Sequence, residues 1–286
     1  MITITNLTRT YKGCITALDD IDLTIQPSGM FGLLGENGAG KSTLMRILAG
    51  ILKPSSGQVN VFGHNLSTAP GRQAVQSMLG YLPQHLGLYP NLTGAEFLDY
   101  MAILKGINQT DVRRREVARV LDLVRLSDEA DRRLKDYSGG MQRRIGIAQS
   151  LLGTPRLIIV DEPTTGLDPE ERVRFRNLLS EIARDAAVIL STHIVEDIGY
   201  SCTDMAVLHR GRIIFRGAPA ELIEEAAGQV WKVTGQAPNN GATVVSTLHQ
   251  ASGVQYRIIG QPEMETAIPV QPTLEDGYMC LMRRVG

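Results

Sequence analysis

Gly35-Glu36-Asn37-Gly38-Ala39-Gly40-Lys41-Ser42 follows the pattern G-x-x-x-x-G-K-[ST]. It lies between a short apolar run, Met30–Leu34, and residues at helical spacing, Leu44, Ile47 and Leu48. A buried strand, a glycine-rich turn and a helix in that order give the pattern its required context. Glycines let successive backbone N–H groups converge on phosphate oxygens without side-chain obstruction. A helix beginning near Lys41 and ending at Gly50 turns the positive end of its dipole toward the same anion. Lys41 supplies a point charge for β- and γ-phosphates, and the Ser42 hydroxyl is a ligand for Mg²⁺. The stretch predicts a nucleoside triphosphate site.

Outward from this loop the chain alternates strands and helices. Ile2 and Ile4, then Ile21, Leu23 and Ile25, recur at period two and predict two half-buried strands. Another alternating strand, with Val59 and Phe62 around Asn60, follows the turn Pro54-Ser55-Ser56-Gly57. From Asn91 to Arg133 the pattern is helical, with Phe97, Tyr100, Met101 and Leu104 on one face and Val117, Val120, Leu121 and Val124 on another. The run Arg113–Arg115 reads as a solvated face of that region. A helix over Gly139–Leu152 precedes the buried strand Leu157–Val160, and a helix over Glu170–Ala183 precedes Val188–Leu190. This rhythm predicts an α/β fold with a parallel sheet covered on both faces.

The C-terminal residues differ. Short strands are predicted at Val230–Val233, Ala242–Leu248 and Val254–Ile259, with a turn cluster at Pro238-Asn239-Asn240-Gly241. A last helix opens at Pro272-Thr273-Leu274-Glu275-Asp276, where Thr273 can cap, and Leu274, Tyr278 and Leu281 share a face. These features predict a small α+β accessory domain from Ala226.

Composition narrows the function classes. The 286 residues correspond to one large or about two ordinary domains. With 29 Lys and Arg against 30 Asp and Glu, the net charge of -1 implies no bulk attraction to nucleic acid or acidic lipid. Cys14, Cys202 and Cys280 are odd in number and widely spaced, against a disulfide framework or a zinc site. The N-terminal residues lack the layout of a signal peptide, and no apolar run approaches the roughly 18 residues of a membrane span.

Two further segments carry chemistry. Leu157-Ile158-Ile159-Val160-Asp161-Glu162 delivers two acids to the end of a buried strand, where ligands bind in open α/β sheets. Asp161 suits Mg²⁺, directly or through water, and Glu162 is placed to polarise an attacking water. Tyr137-Ser138-Gly139-Gly140-Met141-Gln142 opens a helix with a hydroxyl and two glycines, either a second anion site or an ordinary cap.

Taken together, these motifs resemble the ATP-binding subunits of ABC transporters over roughly Met1 to Ile223, in the family's order. The resemblance implies a P-loop NTPase of ABC type: a mixed sheet with a RecA-like core, an antiparallel β subdomain and a helical subdomain at about 91–150. The ATPase domain would occupy 1–225 and the accessory domain 226–286. Tyr11 matches the aromatic that stacks on adenine, and Gln84, in Tyr81-Leu82-Pro83-Gln84, matches the Q-loop glutamine. Gly35, Glu36, Asn37, Gly38, Ala39, Gly40, Lys41, Ser42 and Thr43 match Walker A, and Asp161 with Glu162 matches Walker B and the catalytic base. Ser42, Gln84 and Asp161 are the implied Mg²⁺ residues. Ser138, Gly139 and Gly140 match the signature, Gly166-Leu167-Asp168 the D-loop, and His193 the switch histidine. The signature departs from the commoner form at Tyr137 and Met141. Together with Arg143-Arg144 and the tail Pro272–Asp276, it is similar to the subgroup serving ABC-2 type export.

The family implies ATP and Mg²⁺ as ligands and a head-to-tail dimer of identical or different ATPase subunits. Ser138–Gly140 of one subunit, with Asp168, would complete the site of the other. It also implies a separate integral membrane permease, a place on the cytoplasmic face of the membrane, and no direct nucleic-acid binding. Leu86–Tyr100 is the expected docking surface. One rival is a soluble ABC ATPase acting on nucleic acid or ribosomes, but the short Asn91–Arg133 stretch has no room for a long coiled coil. A non-hydrolysing module is the other, and it would lack Glu162 or His193.

Overall fold

A computed structural model describes residues 1–164, 167–235, 242–250, 253–260 and 267–285. They fall into two compact units, Met1–His193 with Ala206–Ile214, and Ile194–Met205 with the residues from Phe215 onward.

In the first unit, β1 (Ile2–Tyr11) and β2 (Ile15–Ile25) form a hairpin whose register runs from Ile2 opposite Ile25 to Tyr11 opposite Ile15. The apolar alternation of β1 changes phase after Ile4, because Asn6 takes φ 47° and the register shifts before Leu7. This bulge is held by Asp20 and Asp22, which accept from the Asn6 side chain and main chain at 3.1 and 3.0 Å. β3 (Gly29–Leu34) leads to α1 (Lys41–Leu48), and β4 (Ser56–Val61) and β5 (His64–Asn65) complete an antiparallel sheet ordered β2-β1-β4-β5.

The chain continues through α2 (Ala69–Ser77), β6 (Leu79–Leu82), α3 (Gly94–Leu104), α4 (Thr110–Leu123), α5 (Gly139–Ser150), β7 (Leu157–Asp161), α6 (Pro169–Ile182) and β8 (Ala187–Thr192). With β9 (Asp204–His209) and β10 (Arg212–Gly217), these strands make a sheet ordered β10-β9-β3-β8-β7-β6. Its pairs β3–β8, β8–β7 and β7–β6 are parallel. One apolar core joins Ile2, Ile4, Leu7, Leu44, Ile47, Leu48, Ile159 and Ile189, so α1 is shared by both sheets. That shared burial fixes where α1 begins, and with it the phosphate loop.

α3, α4 and α5 pack on one another, within the expected helical stretch. A capping box of Thr93 and Glu96 starts α3. The Tyr137 hydroxyl donates to Glu129 O at 2.7 Å, which gives the unusual signature tyrosine a structural task. Arg113 is not on a solvated face as expected. Its side chain is 12 % exposed, pairs with Asp99 at 2.5 Å and donates to Ile107 O and Asn108 O, pinning α4 to α3. Arg114 and Arg115 are exposed.

The second unit contains α7 (Val195–Ser201), α8 (Pro219–Glu224), β11 (Val230–Thr234), β12 (Thr243–Gln250), β13 (Gly253–Ile259), β14 (Ile268–Pro269) and α9 (Leu274–Val285). Its sheet is antiparallel, in the order β12-β13-β11-β14. The units divide the chain differently from the boundary at 226, because α9 packs on both α7 and α8. Close approach of α9 to α8 requires Gly277, where a Cβ would lie 2.0 Å from Leu222 O. Strand β12 begins at Thr243 and runs two residues beyond Leu248. The expected turn Pro238–Gly241 lies outside the described residues. No helix among the described residues is long and apolar enough to cross a membrane.

Lys105, at the end of α3, donates to Leu79 O at 2.8 Å and Leu152 O at 3.0 Å. Burial pulls its ammonium down to about 8, against a smaller opposing pull from Glu116. Between that value and the ordinary 10.5, the unfolded chain binds more protons than the folded one, so stability attributable to this group rises with pH. Denaturant melts across this window should show wild type gaining stability relative to Lys105→Met. Parallel pH profiles would contradict the burial of the charge.

Candidate nucleotide site

The phosphate loop leaves β3 at Leu34 and enters α1 through Gly40, whose φ is 111°. A Cβ there would lie 2.4 Å from Ala17 O, so both the backbone conformation and the space demand glycine. No side chain caps the start of α1, leaving its first N–H groups to face whatever the loop binds. Lys41, 5 % exposed, folds back under the loop and donates to Gly35 O at 2.7 Å and Glu36 O at 3.1 Å.

Opposite stands Glu162, 4 % exposed, one residue beyond β7. Its Oε1 lies 3.3 Å from Lys41 Nζ and its Oε2 lies 2.6 Å from His193 Nδ1. The backbone of Glu162 is in the left-handed region, φ 50°, where a non-glycine residue carries strain. It is held there partly by its own N–H, which donates to Ser191 O at 2.9 Å. The Ser191 hydroxyl donates to Asp161 Oδ1 at 2.9 Å, fixing the neighbouring buried carboxylate. Burial, and then the negative charge of Asp161, pushes the nearby Tyr81 phenol above its ordinary value.

A cavity of about 250 Å³ is lined by Asn37, Gly38, Lys41, Ser42, Gln84 and Glu162. Three segments far apart in the chain thus meet at one opening. Its chemistry fits a magnesium–triphosphate group: a buried ammonium, uncapped helix N–H groups, a hydroxyl, a glutamine amide and a carboxylate. Tyr11 stands beside the loop, with its hydroxyl 3.3 Å from Thr43 Oγ1 and the Arg9 guanidinium 4.8 Å from its ring centroid.

The remaining expected residues lie elsewhere. Ser138 and Asp168 do not line this cavity. They cap α5 and α6, accepting from Met141 N at 3.2 Å and Glu171 N at 2.8 Å. Ser138 and Gly139 are exposed, and a Cβ on Gly139 or Gly140 would meet nothing. Gly166 lies outside the described residues.

Sequence reasoning misses two buried groups as partners of Asp161 and Glu162. Ser191 binds Asp161 across neighbouring strands, a pairing visible only once the β7–β8 register is known. Arg143 is marked in sequence only as part of Arg143-Arg144 beside the signature; its partners are backbone carbonyls, which any residue supplies, so the sequence does not show what it binds.

The protein-family description "ABC transporter" matches residues 18–165. The ABC transporter ATP-binding protein NatA of Bacillus subtilis is 36% identical over 232 residues, covering 78% of this chain and 92% of that protein. The daunorubicin/doxorubicin resistance ATP-binding protein DrrA of Streptomyces peucetius is 38% identical over 237 residues, covering 81% and 69%. The methionine import ATP-binding protein MetN of Streptomyces avermitilis is 32% identical over 278 residues, covering 91% and 80%. Among solved structures, a dimeric post-hydrolysis state of the ATP-binding cassette MJ0796 with ADP and Pi superposes with TM-score 0.71 at 25% identity, over 76% of this chain and 98% of that one. The phosphate loop, the carboxylates and these likenesses agree: the chain belongs to the ABC transporter family, as an ATP-binding subunit with the P-loop ATPase fold of that family.

Proposed function

We propose that the chain binds and hydrolyses ATP to drive transport through a separate membrane permease, on the cytoplasmic face of the membrane. The observation that carries this reading is the single cavity shared by the phosphate loop, Gln84 and Glu162. In this proposal Gly35–Thr43 cradle the phosphates, Lys41 balances their charge and Tyr11 stacks on the base. Ser42, Gln84 and Asp161 would hold Mg²⁺, which when bound neutralises phosphate charge. Glu162 takes a proton from the attacking water, and His193, bonded to Glu162, steadies the γ-phosphate. The chemistry is chiefly positioning and charge stabilisation.

A second subunit completes the site with its own Ser138–Gly140 and Asp168. Exposure of Ser138 and Gly139, and the dimeric form of the structurally similar cassette, support this head-to-tail arrangement. The proposed functional division remains 1–225 for the ATPase domain and 226–286 for the accessory domain.

Export is the proposed direction. Beside DrrA, the Nod factor export ATP-binding protein I of Cupriavidus metallidurans is 37% identical over 222 residues, above the 32% of the importer MetN. The soluble alternative is less well supported, because only α3 and α4, of 11 and 14 residues, separate β6 from the turns before α5.

Exposed Tyr89 and Tyr100, in edge contact at 5.6 Å between ring centroids, lie within the expected docking stretch, with exposed Ile103 and Leu104 just beyond. An exposed apolar patch of this kind suits a helix of the permease.

Glu162→Gln should bind ATP and accumulate as a dimer while turnover falls on the order of 10²- to 10⁴-fold. Rapid phosphate release by that variant would remove Glu162 from the role of base. Lys41→Ala should lose nucleotide binding in a direct titration, and undiminished binding would refute the loop assignment. Crosslinks from residues 86–100 should reach an integral membrane protein, and Tyr100→Glu should weaken its copurification. Crosslinks confined to 226–286, or ATPase stimulation by RNA without a membrane partner, would favour the other readings.

A further inference from the structure

Arg143, in the second turn of α5, is 7 % exposed and has no assigned part in the site. All five of its N–H donors meet backbone carbonyls. Nε donates to Pro163 O at 2.8 Å, Nη1 to Pro83 O at 3.3 Å and Gln84 O at 3.1 Å, and Nη2 to Asp161 O at 3.3 Å and Glu162 O at 2.6 Å. One planar cation therefore joins α5, the loop that carries Gln84 and the segment that carries both carboxylates. Burial lowers the affinity of the guanidinium for its proton, and the charges of Asp161 and Glu162 oppose that. An arginine nonetheless stays charged in a protein, so the clamp persists across the working pH range.

Glu162 needs such a clamp. Its left-handed backbone is gripped at the N–H by Ser191 O and at the carbonyl by Arg143, and its side chain projects between Lys41 and His193. Rotating that peptide would swing the carboxylate out of reach of both. We propose that Arg143 is a positioning residue for ATP hydrolysis, holding the Glu162 carboxylate and Gln84 in one frame with the signature helix. This rests on the reading of Glu162 as the base. Residue type matters because the five acceptors surround a flat fork. Lysine brings three donors from a single point and glutamine brings two, so neither reproduces the pattern. Arg143 does not line the nucleotide cavity, so its loss acts through the loops rather than on ATP directly.

The full-length chain with Arg143→Lys, and separately Arg143→Gln, is compared with wild type by thermal melting, binding of a fluorescent ATP analogue and Mg²⁺-dependent phosphate release. The Lys variant should remain folded and keep its ATP affinity and KM, while kcat falls on the order of 10- to 100-fold from misplacement of the base. Added to Glu162→Gln, Arg143→Lys should lower the residual turnover no further, because both changes remove the same contribution. A folded Lys variant with unchanged kcat would overturn the proposal. So would parallel loss of affinity and kcat, an additive loss in the double variant, or failure of both single variants to fold, since each marks a merely structural arginine. Wild-type turnover by Glu162→Gln would instead sink the assignment of the base, whereas an inactive Glu162→Gln beside a fully active Arg143→Lys would sink only this proposal.

Discussion

The Glu162 carboxylate touches Lys41 with one oxygen and His193 with the other, and the geometry of the site follows from that shared pair. Lys41 and Glu162 are both nearly inaccessible to water, and a buried charge without a partner is costly. Each side chain therefore constrains the other's segment: the phosphate loop cannot move away from the end of β7 without stranding a charge. Sheet order makes the meeting possible. β3, β8 and β7 are neighbours and parallel, so the loop after β3, His193 after β8 and Glu162 after β7 emerge at one edge. An antiparallel neighbour in this set would have sent one of the three groups to the opposite edge.

The same pair bears on how chemistry would be controlled. An ammonium engaged by two carbonyls and a carboxylate is preorganised and also restrained. In the proposed reaction, a triphosphate entering the cavity would compete for Lys41 and leave the carboxylate freer to accept a proton. On the proposed function, binding and activation of the base would then be two consequences of one exchange of partners. The residues expected to reach a second subunit, from the signature and the D-loop, enter differently. Ser138 and Asp168 already satisfy local helix starts as caps, so any contact they make with a second subunit's nucleotide draws on groups already held rigid at α5 and α6.

What the sequence made legible follows the kind of recognition involved. The loop from Gly35 to Ser42 was readable because glycine, lysine and serine are each required by type, and the acids after β7 because a charged pair ending an apolar run is rare. The β1 strand was readable by alternation only as far as Ile4, since the bulge at Asn6 reverses the phase. α2 escaped because it is short and buries only Gly71 and Val75, neither of them a large apolar residue. β9 and β10 escaped for opposite reasons. Met205–Leu208 are uniformly buried, while β10 has no buried residue, only half-buried ones with Arg212 and Arg216 exposed, and neither alternates cleanly. Arg113 was misread because a basic run looks solvated until a cross-helix aspartate is known to face it. Arg143, noted only beside the signature, and Ser191 bond to backbone or cross-strand partners that the linear order does not reveal.

The C-terminal tail shows why a legible motif need not be a legible function. Thr273 and Asp276 form the expected reciprocal cap, with Thr273 N and Oγ1 donating to Asp276 Oδ2 at 2.6 and 2.7 Å. Asp276 is fully buried, and Arg257 on β13 donates to both of its oxygens. Burial alone would push that carboxyl up, but Arg257 and the Thr273 donors hold it below its ordinary value. Each residue type in Pro272–Asp276 that attracts notice is thus accounted for by starting α9 and pinning it to the sheet of its own unit. A segment so occupied has few polar groups left to recognise cargo or permease. The tail motif, read from sequence as similar to export subunits, is thus accounted for by the build of the C-terminal unit, and the proposed direction of transport does not rest on it.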